Sequence, residues 1–174
     1  MQRFAERCAA CHGTAGVSTL AGTPSLAGQP SFYAITQLFL FRDGRRDNAV
    51  MTAVAKDMRD ADLRGFSEVI GALAAAPAAA AGAAEPERLA RGQALAGKLH
   101  CVGCHGADFA GGKQVPRLAG QREDYLRTAL AGFRAGRRVG YTPAMTEALA
   151  GVPAEALDDL AHFLSHYLAH FPVR

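Results

Sequence analysis

The chain has 174 residues, enough for one ordinary domain or two very small ones. Its 49% hydrophobic content supports a packed core, yet Trp is absent and the abundant Ala and Gly fill little volume, so a domain near half this length has a marginal core of its own. A formal charge of +3, with arginines interspersed among acids, argues against nucleic-acid binding, and no apolar run reaches membrane-spanning length.

In chain order, a short helix precedes the stretch Cys8-Ala-Ala-Cys11-His12. No secretory leader precedes it, and a processed or engineered start is expected. An unpatterned loop follows. Pro30 or Ser31 then starts a helix with Phe32, Ile35, Leu38, Phe39 and Phe41 largely on one side, and Gly44 stops it. A second helix follows Asp60, a plausible N-cap, with Leu63, Phe66, Ile70 and Leu73 at helical spacing. The Ala/Pro/Gly stretch ALAAAPAAAAGAA, broken by Pro77 and Gly82, reads as an exposed linker.

After it, PERLARGQALAGKL gives a helix that leads into Cys101-Val-Gly-Cys104-His105. A second unpatterned loop follows, then a helix with Tyr125, Leu126, Leu130 and Phe133. The last helix carries Leu157, Leu160, Leu164 and Tyr167, with Pro153 suited to its first turn. His162, His166 and His170 share one side of that helix. Without an acid or cysteine at the same spacing they read as an adventitious exposed stripe rather than a metal site.

The order of elements repeats because the sequence does. Pro24 matches Pro116, Gly28-Gln29 matches Gly120-Gln121, Tyr33 matches Tyr125, and Gly44-Arg45-Arg46 matches Gly136-Arg137-Arg138, at a period near 92 residues. That period is too long for a solenoid and marks a duplicated domain. The expected division is 1–76, a linker at 77–85, and 86–174. The fold class is all-α, each domain a few helices with long loops, and such loops suit a chain that wraps something.

All four cysteines lie in the two C-x-x-C-H stretches. A disulfide framework would separate its cysteines more widely, and a thioredoxin-type motif would need strands nearby. A Cys₄ zinc site would leave both histidines unexplained. Covalent haem attachment uses every residue: Cys8, Cys11, Cys101 and Cys104 as thioethers, with His12 and His105 to reach iron. A thioether sulfur on the other side would favour reduced iron. Met145 is the one methionine of the second copy, and the repeat sets Met51 opposite it and Met58 opposite Val152. The bland alternative is that these methionines only fill the core.

On these motifs the chain resembles the two-haem class I cytochromes c, most closely the cytochrome c4 family, over nearly its whole length. The resemblance implies two tandem class I cytochrome c domains, two covalent haem c groups, and a periplasmic electron carrier with no catalytic residues of its own. It also implies redox-protein partners: a donor reductase or dehydrogenase and an acceptor oxidase, with peripheral association with the membrane. Within that family a proline-segment carbonyl accepts the free N–H of the haem histidine, which points to Pro24 and Pro116; otherwise each proline stiffens a loop. Arg42 and Arg134, with Gln29 and Gln121, would meet haem propionates, unless the arginines are solvated helix ends. With ionised propionates the +3 chain would become roughly +1 oxidised and roughly −1 reduced, giving weak ionic steering. The rival readings are a dehydrogenase-complex subunit, a two-haem peroxidase with one open iron, and a haem-free zinc protein.

Overall fold

The computed structural model describes residues 2–78, 82–140 and 143–167. Among these the chain is helical, with one isolated bridge between Gly112 and Val115 and no strand. The first half runs α1 (Gln2–Arg7), α2 (Ala9–His12), α3 (Ser31–Arg42), α4 (Ala49–Ala55) and α5 (Asp60–Ala72). The second runs α6 (Pro86–Lys98), α7 (Val102–His105), α8 (Glu123–Arg134), α9 (Ala144–Ala148) and α10 (Ala154–His166) in the same order.

Each long helix follows from its local sequence. α3 starts behind Pro30, buries Ala34, Leu38 and Phe41 at intervals of three and four, and gives way two residues past its end at Gly44. α5 starts at Asp60 itself rather than after it, one residue ahead of expectation. Asp62 accepts the backbone N–H of Arg59 at 2.9 Å, so its carboxylate satisfies the exposed amide end. α6 places Pro86 in its first turn, where a missing N–H is harmless.

Sequence patterning did not reveal α4 and α9, the short helices that carry Met51 and Met145. Asn48 caps α4 by accepting the Met51 N–H at 2.9 Å, a signal readable in Asn-Ala-Val-Met.

In each half the third and fifth helices pack together, and in the second half α6 lies along α10 as well. Gly92 permits that last approach, since a Cβ there would sit 2.3 Å from the Asp159 carbonyl oxygen. The second core is one cluster built on Phe109, Leu126, Leu157, Leu160, Phe163 and Leu164. The first is split between a cluster around Leu38, Phe41, Met58 and Phe66 and a smaller one of Phe4, Ala34 and Ile70.

The linker is not wholly exposed. Ala78 is buried, and its N–H donates to the Gly120 carbonyl at 2.7 Å, which docks the end of the first half on the second. Residues 79–81 lie outside the described segments.

Candidate functional site

α2 and α7 are single turns, closed by His12 N–H to Cys8 carbonyl at 2.9 Å and His105 N–H to Cys101 carbonyl at 3.0 Å. Residues three and four apart share a helix face, so each turn gathers two thiols and an imidazole on one side. None of the four cysteines is in a disulfide; Cys11 and Cys104 are exposed and Cys8 and Cys101 half-buried. Burial pushes the Cys8 thiol up to about 11 against the pull of Arg7, and raises Cys101 as well.

Both histidines are buried and meet the same kind of partner. His12 Nδ1 lies 2.8 Å from the Pro24 carbonyl oxygen, and His105 Nδ1 lies 3.0 Å from that of Pro116. A carbonyl only accepts, so Nδ1 carries the proton and Nε2 keeps its lone pair. Burial lowers both histidine pKa values, partly offset by these hydrogen bonds, which favours the neutral imidazole a metal requires.

The methionines fall in matching places. Met51 is half-buried against the cluster that also receives Cys8, and Met145 against the one that receives Cys101. Met58 is a core residue, 4% exposed. Its N–H donates to Ala55 and its carbonyl accepts from Arg42 Nη1 at 3.0 Å; Val152 makes the corresponding bonds to Leu149 and to Arg134 Nη1. This shared turn pairs Met58 with Val152 and leaves Met51 opposite Met145, in the register of the repeat.

Arg42 and Arg134 therefore each clamp the loop that follows a methionine helix, and Arg42 also meets Asp60. Gln29 and Gln121 reach across to the opposite domain instead of lying free for a propionate. Gln121 bonds both backbone groups of Ser25, and Gln29 both backbone groups of Arg117. Sequence reasoning missed Arg117 itself, a buried arginine next to Pro116 whose pKa burial lowers, with Asp108 opposing. Ser25 stands in its place in the first half.

The histidine stripe is corrected by the structure. His162 is 1% exposed, not solvated, and an acid does join it: Nδ1 donates to Glu123 at 3.0 Å while Nε2 accepts the Glu85 N–H at 3.0 Å. Arg88 and Arg127 also hold Glu123, whose pKa is lowered by His162 and these arginines despite its burial. With both ring nitrogens engaged and two guanidinium groups on the acid, this cluster is a clasp between α6, α8 and α10. His170 lies outside the described residues.

The cytochrome c family pattern matches residues 2–65 and 89–167. The chain belongs to the cytochrome c family. It is 35% identical over 146 residues to the cytochrome c4 of Pseudomonas aeruginosa, covering 79% of this chain and 71% of that one. It is 39% identical over 145 residues to a thiosulfate dehydrogenase electron acceptor of Thiomonas intermedia, covering 78% of this chain and 66% of that one. The chain thus spans about two thirds of the length of these curated relatives. Reduced cytochrome c4 from Pseudomonas stutzeri superposes with a TM-score of 0.86 at 27% identity, over 96% of each chain. The chain is a two-domain, c4-type electron-transfer cytochrome, helical among the described residues, with two covalently attached haem c groups as its cofactors. Free thiols, neutral imidazoles with an available Nε2 and half-buried methionines form a donor set that fits that group twice.

Proposed function

We propose that this protein carries single electrons in the periplasm, taking them from a dehydrogenase and passing them towards a terminal oxidase. A bound haem c supplies a one-electron couple between ferric and ferrous iron. In this reading Cys8, Cys11, Cys101 and Cys104 hold the two groups by thioether bonds. His12 and Met51 would ligate one iron, and His105 and Met145 the other. Pro24 and Pro116 fix the plane and raise the basicity of each imidazole by accepting its Nδ1–H. The observation that carries the reading is the duplicated histidine-to-proline bond at 2.8 and 3.0 Å, each with a half-buried methionine packed against its cysteine's cluster.

Met51 and Met145 would leave neither iron an open position, which suits a carrier and not a site for small-molecule activation. The donor is inferred from the relatives: electron acceptors of thiosulfate dehydrogenase are 39% and 36% identical to this chain. Among the described residues no helix is long and apolar enough to cross a membrane. One observation favours a fixed subunit instead. The fold of this chain matches 36% of a thiosulfate dehydrogenase chain from Marichromatium purpuratum at a TM-score of 0.77 and 33% identity.

Stopped-flow mixing of the oxidised protein with a thiosulfate dehydrogenase and thiosulfate tests the proposal. Uptake of two electrons per chain, at a rate that rises with carrier concentration, is expected. No reduction would overturn the donor assignment, and stable one-to-one co-elution with the dehydrogenase would favour the subunit reading.

A further inference from the structure

The Pro-x-Leu-Ala-Gly-Gln segments do more than their own domain requires. In the first, the carbonyl of the Pro24–Ser25 peptide group accepts His12 Nδ1–H at 2.8 Å. The N–H of that same peptide group, on Ser25, donates to Gln121 Oε1 of the second domain at 2.8 Å. The second segment repeats this in reverse. The Pro116–Arg117 peptide group accepts from His105 at 3.0 Å and donates, through the Arg117 N–H, to Gln29 Oε1 at 3.1 Å.

Each glutamine completes its grip by donating Nε2–H onward, Gln121 to the Ser25 carbonyl at 2.8 Å and Gln29 to the Arg117 carbonyl at 2.9 Å. Because a backbone N–H can only donate and a carbonyl only accept, these partners fix which way each amide points. Both glutamines are 6% exposed, so water competes little for these bonds.

A peptide group is planar and conjugated, so a hydrogen bond at its N–H polarises its carbonyl oxygen. An acceptor on the Ser25 N–H therefore strengthens the bond that His12 makes to Pro24. The imidazole becomes more electron-rich, and an electron-rich ligand favours the more oxidised iron. We propose that Gln29 and Gln121 are crossed positioning residues, each tuning the haem histidine of the opposite domain through the peptide group that this histidine shares with it. The inference rests on His12 and His105 being iron ligands, as set out under Proposed function. It makes the domain interface an electronic part of both haem sites. Each segment holds its own histidine at the proline and steadies its neighbour's five residues later at the glutamine.

The test is a crossed pair of substitutions in the two-haem protein. Proton NMR of the reduced form reads each histidine Nδ1–H, and spectroelectrochemistry reads each haem's potential. Gln121→Leu should move the His12 Nδ1–H upfield and raise the first-domain potential while leaving His105 unchanged. Gln29→Leu should do the reverse. Gln121→Glu and Gln29→Glu keep an acceptor oxygen for the peptide N–H, and should restore the Nδ1–H position without raising the potential. Loss of packing alone would admit water, which stabilises the charged ferric form, so a fall in potential would overturn the proposal. So would a change confined to the substituted domain, or equal changes at both haems. Should the leucine variants fail to hold haem, the glutamate variants decide, since a raised potential there is incompatible with the relay. The ligand reading fails separately: wild-type reduced protein in which the His12 and His105 ring protons lack large haem ring-current shifts would overturn both.

Discussion

The two domains keep the same hydrogen bonds around their histidines and build different cores behind them. The sharpest contrast is at one left-handed backbone position. In the first domain Gly16 adopts φ 73° and its carbonyl accepts from Leu26 and Ala27. In the second, Phe109 adopts φ 54° and its carbonyl accepts from Leu118 and Ala119. Left-handed backbone costs a residue with a side chain about 1–2 kcal/mol. Phe109 offsets that by setting its ring edge-on to Phe163 and Tyr167, at 5.9 and 4.9 Å between centroids. In the first domain Leu73 fills the space instead, with its Cδ1 only 2.6 Å from where a Gly16 Cβ would be. The loop's path is thus held by its carbonyl and its hydrogen bonds to the proline segment, while the side chain at the turn is free to differ.

The loops are closed by different groups as well. Buried Ser18 donates its hydroxyl to the Cys11 carbonyl at 2.9 Å, where the second domain uses the Gly111 N–H on the His105 carbonyl at 2.9 Å. Two chemically distinct devices hold the same cysteine-histidine turn.

Substitution of Phe109 should break this contrast most severely. Phe109→Ala should cost the second domain about 3–5 kcal/mol, because it empties the centre of a single cluster. Domain-resolved hydrogen exchange would check that the first domain keeps its protection. Met58→Ala should cost the first domain about 2–5 kcal/mol, and chemical denaturation would measure it, while that domain's haem spectrum stays unchanged. A smaller loss is expected from the histidine clasp. His162→Ala leaves the Glu85 N–H and a Glu123 oxygen without this partner at a cost of about 1–3 kcal/mol, read as a lower denaturation midpoint for the second domain only.

Acid should loosen the start of the first domain at a defined point. α1 is tied to α5 by Arg3, whose bond to Asp62, with the Arg59 N–H, holds that carboxyl at about 2. A carboxyl held below its unfolded value of 3.8 stabilises above that value and loses its contribution as pH falls through about 2. Amide protection at Phe4–Cys8 should therefore drop between pH 4 and pH 2, and the drop should vanish in Asp62→Asn.

Much of this was legible in the sequence because it repeats at fixed spacing: the cysteine-histidine stretches, the proline segments, the paired methionines and the long amphipathic helices. What was hidden depends on parts of the chain that meet only in three dimensions. Gln29 and Gln121 read as propionate partners because their true acceptors and donors lie on the other domain's backbone, 88 and 96 residues away. His162 read as solvated because periodicity assigns it a face, while Glu123 and the start of α6 decide whether that face is covered. The glycine before each glutamine shows the same limit. Gly28 and Gly120 have φ 70° and 64°, and their N–H groups anchor the ends of α5 and α10 through Leu73 and Leu164. A side chain at Gly28 would strike the Ala75 methyl at 2.4 Å, a contact no local pattern announces.

The central claim is that two equivalent histidine–methionine sites exist, with Met51 and not Met58 in the first. Near-infrared magnetic circular dichroism of the oxidised protein counts sulfur-to-iron charge-transfer bands directly. The account predicts two equivalents in the wild type, one in Met51→Ala, one in Met145→Ala and two in Met58→Ala. Loss of a band in Met58→Ala, or its survival in Met51→Ala, would contradict it.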